Sequence, residues 1–123
     1  MATRPFDSDP VPPLTPAVFH ILLSLADGEL HGYAIMQEVS VSSGGTMRMG
    51  PGTLYGTIKR LLADHWVEEA EERPDPNLDD ERRRYYRLTG LGAKALGTEV
   101  RRMAGVVKLA RRKRLIGNFE GTA

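Results

Sequence analysis

The sequence predicts a mainly α-helical domain with one small β-hairpin, closed by a single long helix. Three observations predict it. Apolar residues recur at helical spacing through residues 16–64. Two short runs rich in aromatic or β-branched residues, 66–71 and 84–88, bracket a polar stretch that holds Pro74 and Pro76. Helical character then returns at Thr89 and extends towards Ile116. The order helix, helix, helix, hairpin, helix is that of a winged helix-turn-helix plus one extra long C-terminal helix, which is expected to be a dimerisation helix.

Each element has a local reason. Residues 1–14 carry Pro5, Pro10, Pro12 and Pro13 and read as an extended arm without core residues. Thr15 and Pro16 then supply a cap and a first helical proline. The helix that follows is apolar almost all round, and Asp27-Gly28 is expected to end it. A second helix opens near His31, with Tyr33, Met36 and Val39 at spacings that share a face. Ser42, Ser43, Gly44 and Gly45 form a loop. Gly50-Pro51 starts a third helix, expected to run to Asp64. The hairpin has a long charged tip, and Thr89 caps the final helix, which Gly90, Gly92, Gly97 and Gly105 weaken. The expected division is an arm to residue 14, a winged domain over 15–89, a helix over 90–116 and a tail over 117–123.

Composition narrows the class. A chain of 123 residues, 41% hydrophobic and 27% charged, suits one globular domain. Cysteine is absent, which excludes disulfides and thiolate chemistry. The longest apolar stretch, 17–26, is too short for a bilayer, and the N-terminus lacks the apolar run of a signal peptide. A cytoplasmic protein with no membrane association is the expectation. The net charge of +1 conceals an asymmetry. Residues 1–81 carry 5 Lys/Arg against 14 Asp/Glu, whereas residues 82–116 carry 12 against Glu99 alone. A polyanion partner for the basic half and a solvated helix surface both fit that asymmetry.

The third helix carries the most information. Leu54, Ile58, Leu61 and Leu62 make its core stripe, and Thr53, Gly56, Thr57 and Arg60 its polar face, flanked by Tyr55 and Lys59. Hydroxyls, two cations and a glycine suit entry into a major groove of double-stranded DNA, and an ordinary amphipathic helix with a polar outer side is the competing reading. Arg82, Arg83 and Arg84 stand at the base of the hairpin, placed with Arg87 to hold phosphate oxygens. A repelled, solvated charge run and pairing of the three with Asp79, Asp80 and Glu81 are the competing readings. Other chemistries fail on spacing. Asp75, Asn77 and Asp79 imitate a calcium loop, but Asp80 and Tyr86 fill its glycine and glutamate positions. Gly50, Gly52 and Gly56 miss the dinucleotide fingerprint. His20, His31 and His65 fall in separate elements. No catalytic residues, metal or cofactor are expected, and an enzyme is not.

The series LTPAVFHILLSL, HGYAIMQEV, GPGTLYGTIKRLL and DDERRRYYRLTGLGAKAL resembles the PadR family of bacterial transcriptional regulators. The single helix after the wing is similar to its shorter subfamily. The resemblance implies a homodimer that binds a palindromic operator and represses. It also implies that the recognition helix is 51–64, that the scaffold helix carries Tyr33 as a further DNA contact, and that the wing spans 66–88. Gly50 stands where the family often has a serine cap, and His65 where it often has glycine at a helix-ending turn. The tryptophan of the family's drug-binding members is on the final helix, whereas Trp66 begins the wing. The alternative function is a winged-helix module for protein partners, without DNA binding.

On the final helix Leu96, Val100, Met103, Val107 and Ala110 step by four and three, a two-helix packing seam. The helix extends roughly 37 Å beyond the wing at 1.5 Å per residue, further than one small core covers. A dimer is therefore expected. A small apolar or aromatic effector would sit between two such helices, at Met103 and Val107. The competing reading there is a fully packed core with no ligand.

Overall fold

The computed structural model describes residues 13–71 and 84–117. In chain order the elements are α1 (Pro16–Ser24), β1 (Leu30–His31), α2 (Gly32–Ser42), α3 (Pro51–Ala63), β2 (Val67–Ala70), β3 (Tyr85–Leu88) and α4 (Gly90–Arg112). The fold is mainly helical with a small antiparallel sheet, as the sequence predicts. The sheet has three strands rather than two, in the order β1-β3-β2. The hairpin register pairs Val67 with Leu88 and Ala70 with Tyr85. On the other side of β3, Leu30 pairs with Tyr86 and His31 with Tyr85. A strand of two residues has no periodicity to read, so only the tertiary pairing defines β1.

Caps set most boundaries. The Thr15 hydroxyl accepts the Val18 N–H at 3.2 Å, and the Thr89 hydroxyl accepts the Gly92 N–H at 3.0 Å. α1 stops at Ser24, short of Asp27-Gly28. There the chain tightens into short-range bonds, Leu25 N–H to Leu22 C=O at 3.1 Å and Ala26 N–H to Leu23 C=O at 3.1 Å. α4 stops at Arg112 rather than Ile116, because Arg114 takes φ 64°. Leu115 N–H then reaches back to Ala110 C=O at 3.0 Å, a Schellman closure. His65 closes α3 the same way, with φ 63° and Trp66 N–H bonded to Leu61 C=O at 3.0 Å. That is the structural role its sequence position suggests.

The core joins Ile21, Leu22 and Leu25 of α1, Ile35 and Val39 of α2, and Leu54, Ile58 and Leu61 of α3. Val67, Tyr86 and Leu96 close it from the sheet and α4. Fully burying one such aliphatic side chain contributes roughly 1.5–3 kcal/mol. Three details differ from the sequence reading. The buried face of α2 runs through Gly32, Ile35 and Val39, which turns Tyr33 outward. Leu14, assigned to the arm, packs against the core. Leu62 only partly joins the α3 stripe. The rest of the arm (1–12) and the end of the tail (118–123) lie outside the described residues.

Candidate nucleic-acid interface

α3 begins at Pro51 behind Gly50, which offers its first turn no side-chain cap. With Leu54, Ile58 and Leu61 turned inward, Thr53, Gly56, Lys59 and Arg60 are exposed. An added Cβ at Gly56 would meet nothing within 4 Å, so this face is open to close approach. Neither Lys59 nor Arg60 has a carboxylate partner among the described residues. Thr57 is only partly exposed, and its hydroxyl is engaged, donating to Thr53 C=O at 2.8 Å.

Tyr55 is placed differently from a simple flank. Its ring lies over Gly32 so closely that any Cβ there would collide with it. The side chain therefore reaches from α3 to the start of α2, where glycine leaves room for it. The same corner gathers further groups. His31 Nδ1 accepts the Ala34 N–H at 3.1 Å and caps α2. The His31 ring stacks near Tyr33 with centroids 6.5 Å apart and meets Tyr85 edge-on at 5.4 Å. Tyr33, Tyr55, Tyr85 and the exposed Arg84 thus come together where α2, α3 and the sheet meet. Arg82, Arg83 and their acidic neighbours Asp79, Asp80 and Glu81 lie outside the described residues.

Arg87 does not join this surface as a free cation. Its Nε donates to Glu68 at 2.7 Å across the hairpin, and its Nη1 stands 3.7 Å from Glu29. The Glu68 hydrogen bond and charge, supported by Glu29, hold the guanidinium above the usual arginine range. The sequence hid this pair because the partners are far apart in the chain and meet only through strand register.

Arg48 was missed by sequence reasoning. It is exposed in the turn just before α3, between Met47 and Met49, which both pack against the core. The alternation of two apolar residues around a cation was the available signal.

On α4, Leu96 is 7% exposed and belongs to the chain's own core, so it leaves the expected seam. It lies where the helix still crosses α1. Val100 and Met103 are 43% and 41% exposed, and Val106 and Leu109 extend the apolar surface. Val107 and Ala110 are partly exposed along the same stretch. Glu99 is buried and accepts from Arg102 Nε at 3.2 Å. A crevice at Met103 and Val107 would need a second chain. Within one chain a cavity of about 270 Å³ lies elsewhere, bounded by Leu14 and Val18 on one side and Thr57, Arg60 and Trp66 on the other. Among the described residues no three His, Asp or Glu side chains are grouped to hold a metal. No helix among them is long and apolar enough to cross a membrane.

A family model described as the transcriptional regulator PadR-like family matches residues 21–98. The chain belongs to that family. This PadR-like regulator is 45% identical over 83 residues to "Transcriptional regulator Rv3488" of Mycobacterium tuberculosis, covering 68% of this chain and 70% of that one. It is 42% identical over 84 residues to an uncharacterized 37.1 kDa protein in a Streptomyces fradiae transposon. That match covers 68% of this chain and only 22% of the longer protein. Among solved structures, a PadR family transcription regulator of Clostridium difficile shares the fold with a TM-score of 0.63 at 20% identity. It is covered over 97% of its length, against 80% of this chain. The Bacillus subtilis PadR in complex with operator DNA gives 0.61 at 21% identity, over 72% of this chain and 48% of that one. PadR-like proteins regulate transcription and are not enzymes.

Proposed function

We propose that this PadR-like regulator is a DNA-binding repressor that works in the cytoplasm as a homodimer on a two-fold symmetric operator. The single observation that carries the reading is the outer face of α3. It combines exposed Lys59 and Arg60, neither paired to a described carboxylate, with the Thr53 hydroxyl and the open surface at Gly56. Such a face offers donors to base edges at a distance the glycine keeps short. Tyr33, Arg48 and Arg84 border it, and Tyr55 and Thr57 act by fixing it rather than by reaching out. Arg82 and Arg83 extend the phosphate contacts of Arg84. The likeness to the operator-bound B. subtilis PadR supports the same docking.

In this reading residues 15–89 read DNA and residues 90–116 pair the subunits. Val100, Met103, Val107 and Ala110 form the seam, supported by the apolar surface that α4 carries past the core. An apolar or aromatic effector, where one acts, binds at Met103 and Val107 between the paired helices. The test is selection of binding sequences from a random duplex pool, then Lys59→Ala and Arg60→Ala on the selected operator. Each should cost about 1–3 kcal/mol on the operator and less on random DNA. Equal losses on both would show that α3 reads no bases.

A further inference from the structure

The outward side of α4 bears a second charged surface, separate from the α3 face. Lys94, Arg101 and Lys108 are seven residues apart, so each turns back only about 20° from the last. Arg112 follows 18 positions after Lys94, close to five full turns. All four side chains are exposed and form one line about 27 Å long. Leu96 stands two residues on from Lys94, about 200° away, so the line runs opposite the apolar stripe.

None of the four cations has a carboxylate partner among the described residues. Among the described residues Arg101 makes only a 3.4 Å bond to the Thr98 hydroxyl. The helix dipole rewards cations near the C-terminal end, which accounts for Arg112 but not for Lys94 or Arg101. The surface between them is low. A Cβ on Gly105 would meet nothing within 4 Å, and one on Gly97 would meet only the Arg101 guanidinium. Each glycine costs the helix about 0.8–1 kcal/mol relative to alanine.

A straight row of unpaired cations over small residues fits a long, regular anion. Duplex DNA presents one charge per about 1.7 Å of axis, continuous over the whole row. A lipid surface is the wrong shape, because a helix lying on lipid buries its apolar side and would point these cations away from the headgroups. α4 packs on α1 and β3, while α3 packs on α2 and β2, and both polar faces turn away from the core they share. The two basic surfaces therefore lie on elements that pack against different neighbours.

We infer that the Lys94, Arg101, Lys108 and Arg112 row is a second, sequence-independent seat for the phosphate backbone of duplex DNA, outside the stretch that α3 addresses. It rests on the DNA reading of α3, and the experiment separates the two. The full chain, a Lys94→Gln/Arg101→Gln/Lys108→Gln variant and a Lys59→Ala/Arg60→Ala variant are titrated across a salt series with a random-sequence duplex and with the operator selected from the random pool. The α4 variant should lower the slope of log affinity against log salt by roughly 2–3 per chain, at about 0.9 for each phosphate no longer neutralised. Glutamine preserves helix propensity, and Arg101→Gln alone, worth a slope change of about 1, covers failure of the triple variant to fold. The α3 variant should lose operator preference while keeping steep salt dependence on random duplex. An α4 variant of unchanged slope overturns the second seat and leaves the α3 reading intact. A parent chain that binds no duplex overturns both. Polyglutamate competing as well as duplex at equal charge would reassign the row to acidic proteins and overturn the inference.

Discussion

Replacing Gly92 by alanine adds one methyl group where the start of α4 crosses the backbone of Trp66. Gly92 is buried, and its N–H is held by the Thr89 hydroxyl at 3.0 Å. A Cβ built there collides with the Trp66 carbonyl, backbone atoms that no rotamer change can move aside. The same carbonyl accepts the Thr89 N–H at 3.1 Å, so lifting α4 to make room strains the cap as well. In a solvated helix the exchange would gain about 0.8–1 kcal/mol. Here overpacking costs roughly 1–3 kcal/mol and the weakened hydrogen bond about 1 more, leaving a net loss of about 1–3 kcal/mol. At about 4 °C per kcal/mol the melting temperature should fall by roughly 4–12 °C. Gly105→Ala is the matched control, because its Cβ meets open space. That variant should gain about 0.8–1 kcal/mol. Thermal melts followed by circular dichroism measure both, and a Gly92→Ala variant melting at or above the parent would refute the close crossing.

Two further outcomes separate neighbouring roles. Leu96→Ala should destabilise the folded chain by about 2–5 kcal/mol, as a buried leucine does, whereas Met103→Glu should leave the fold intact and, on the proposed pairing through α4, give a monomer in light scattering where the parent gives a dimer. Thr89→Ala removes both the α4 cap and the hydroxyl bond to His65 C=O at 2.6 Å. It should cost about 1–2 kcal/mol in denaturant unfolding with an unchanged m-value.

The candidate interface was partly visible in the residues. The amphipathic pattern of α3 separates Leu54, Ile58 and Leu61 from Lys59 and Arg60 without help from any other element. Tyr55 could not be placed the same way, since a position on the border of two faces goes to whichever neighbour leaves room. Gly32, distant in sequence, leaves it. Arg87 shows the same limit for charge, because Glu68 and Glu29 reach it only through the pairing of β2, β3 and the chain entering β1.

What the sequence by itself determined is what local physics governs. Thr15, Pro16, Pro51 and Thr89 start helices through their own side chains or rings, and His65 ends one by tolerating positive φ. Helical and strand periodicity supplied the element order for the same reason. Only the tertiary structure decided how far each apolar stripe is used up inside the chain. Leu96 and Met103 occupy equivalent positions of one repeat, a heptad apart on α4, yet one is buried and the other exposed. The repeat is a property of the helix, whereas burial depends on where α1 and the sheet stop beneath it.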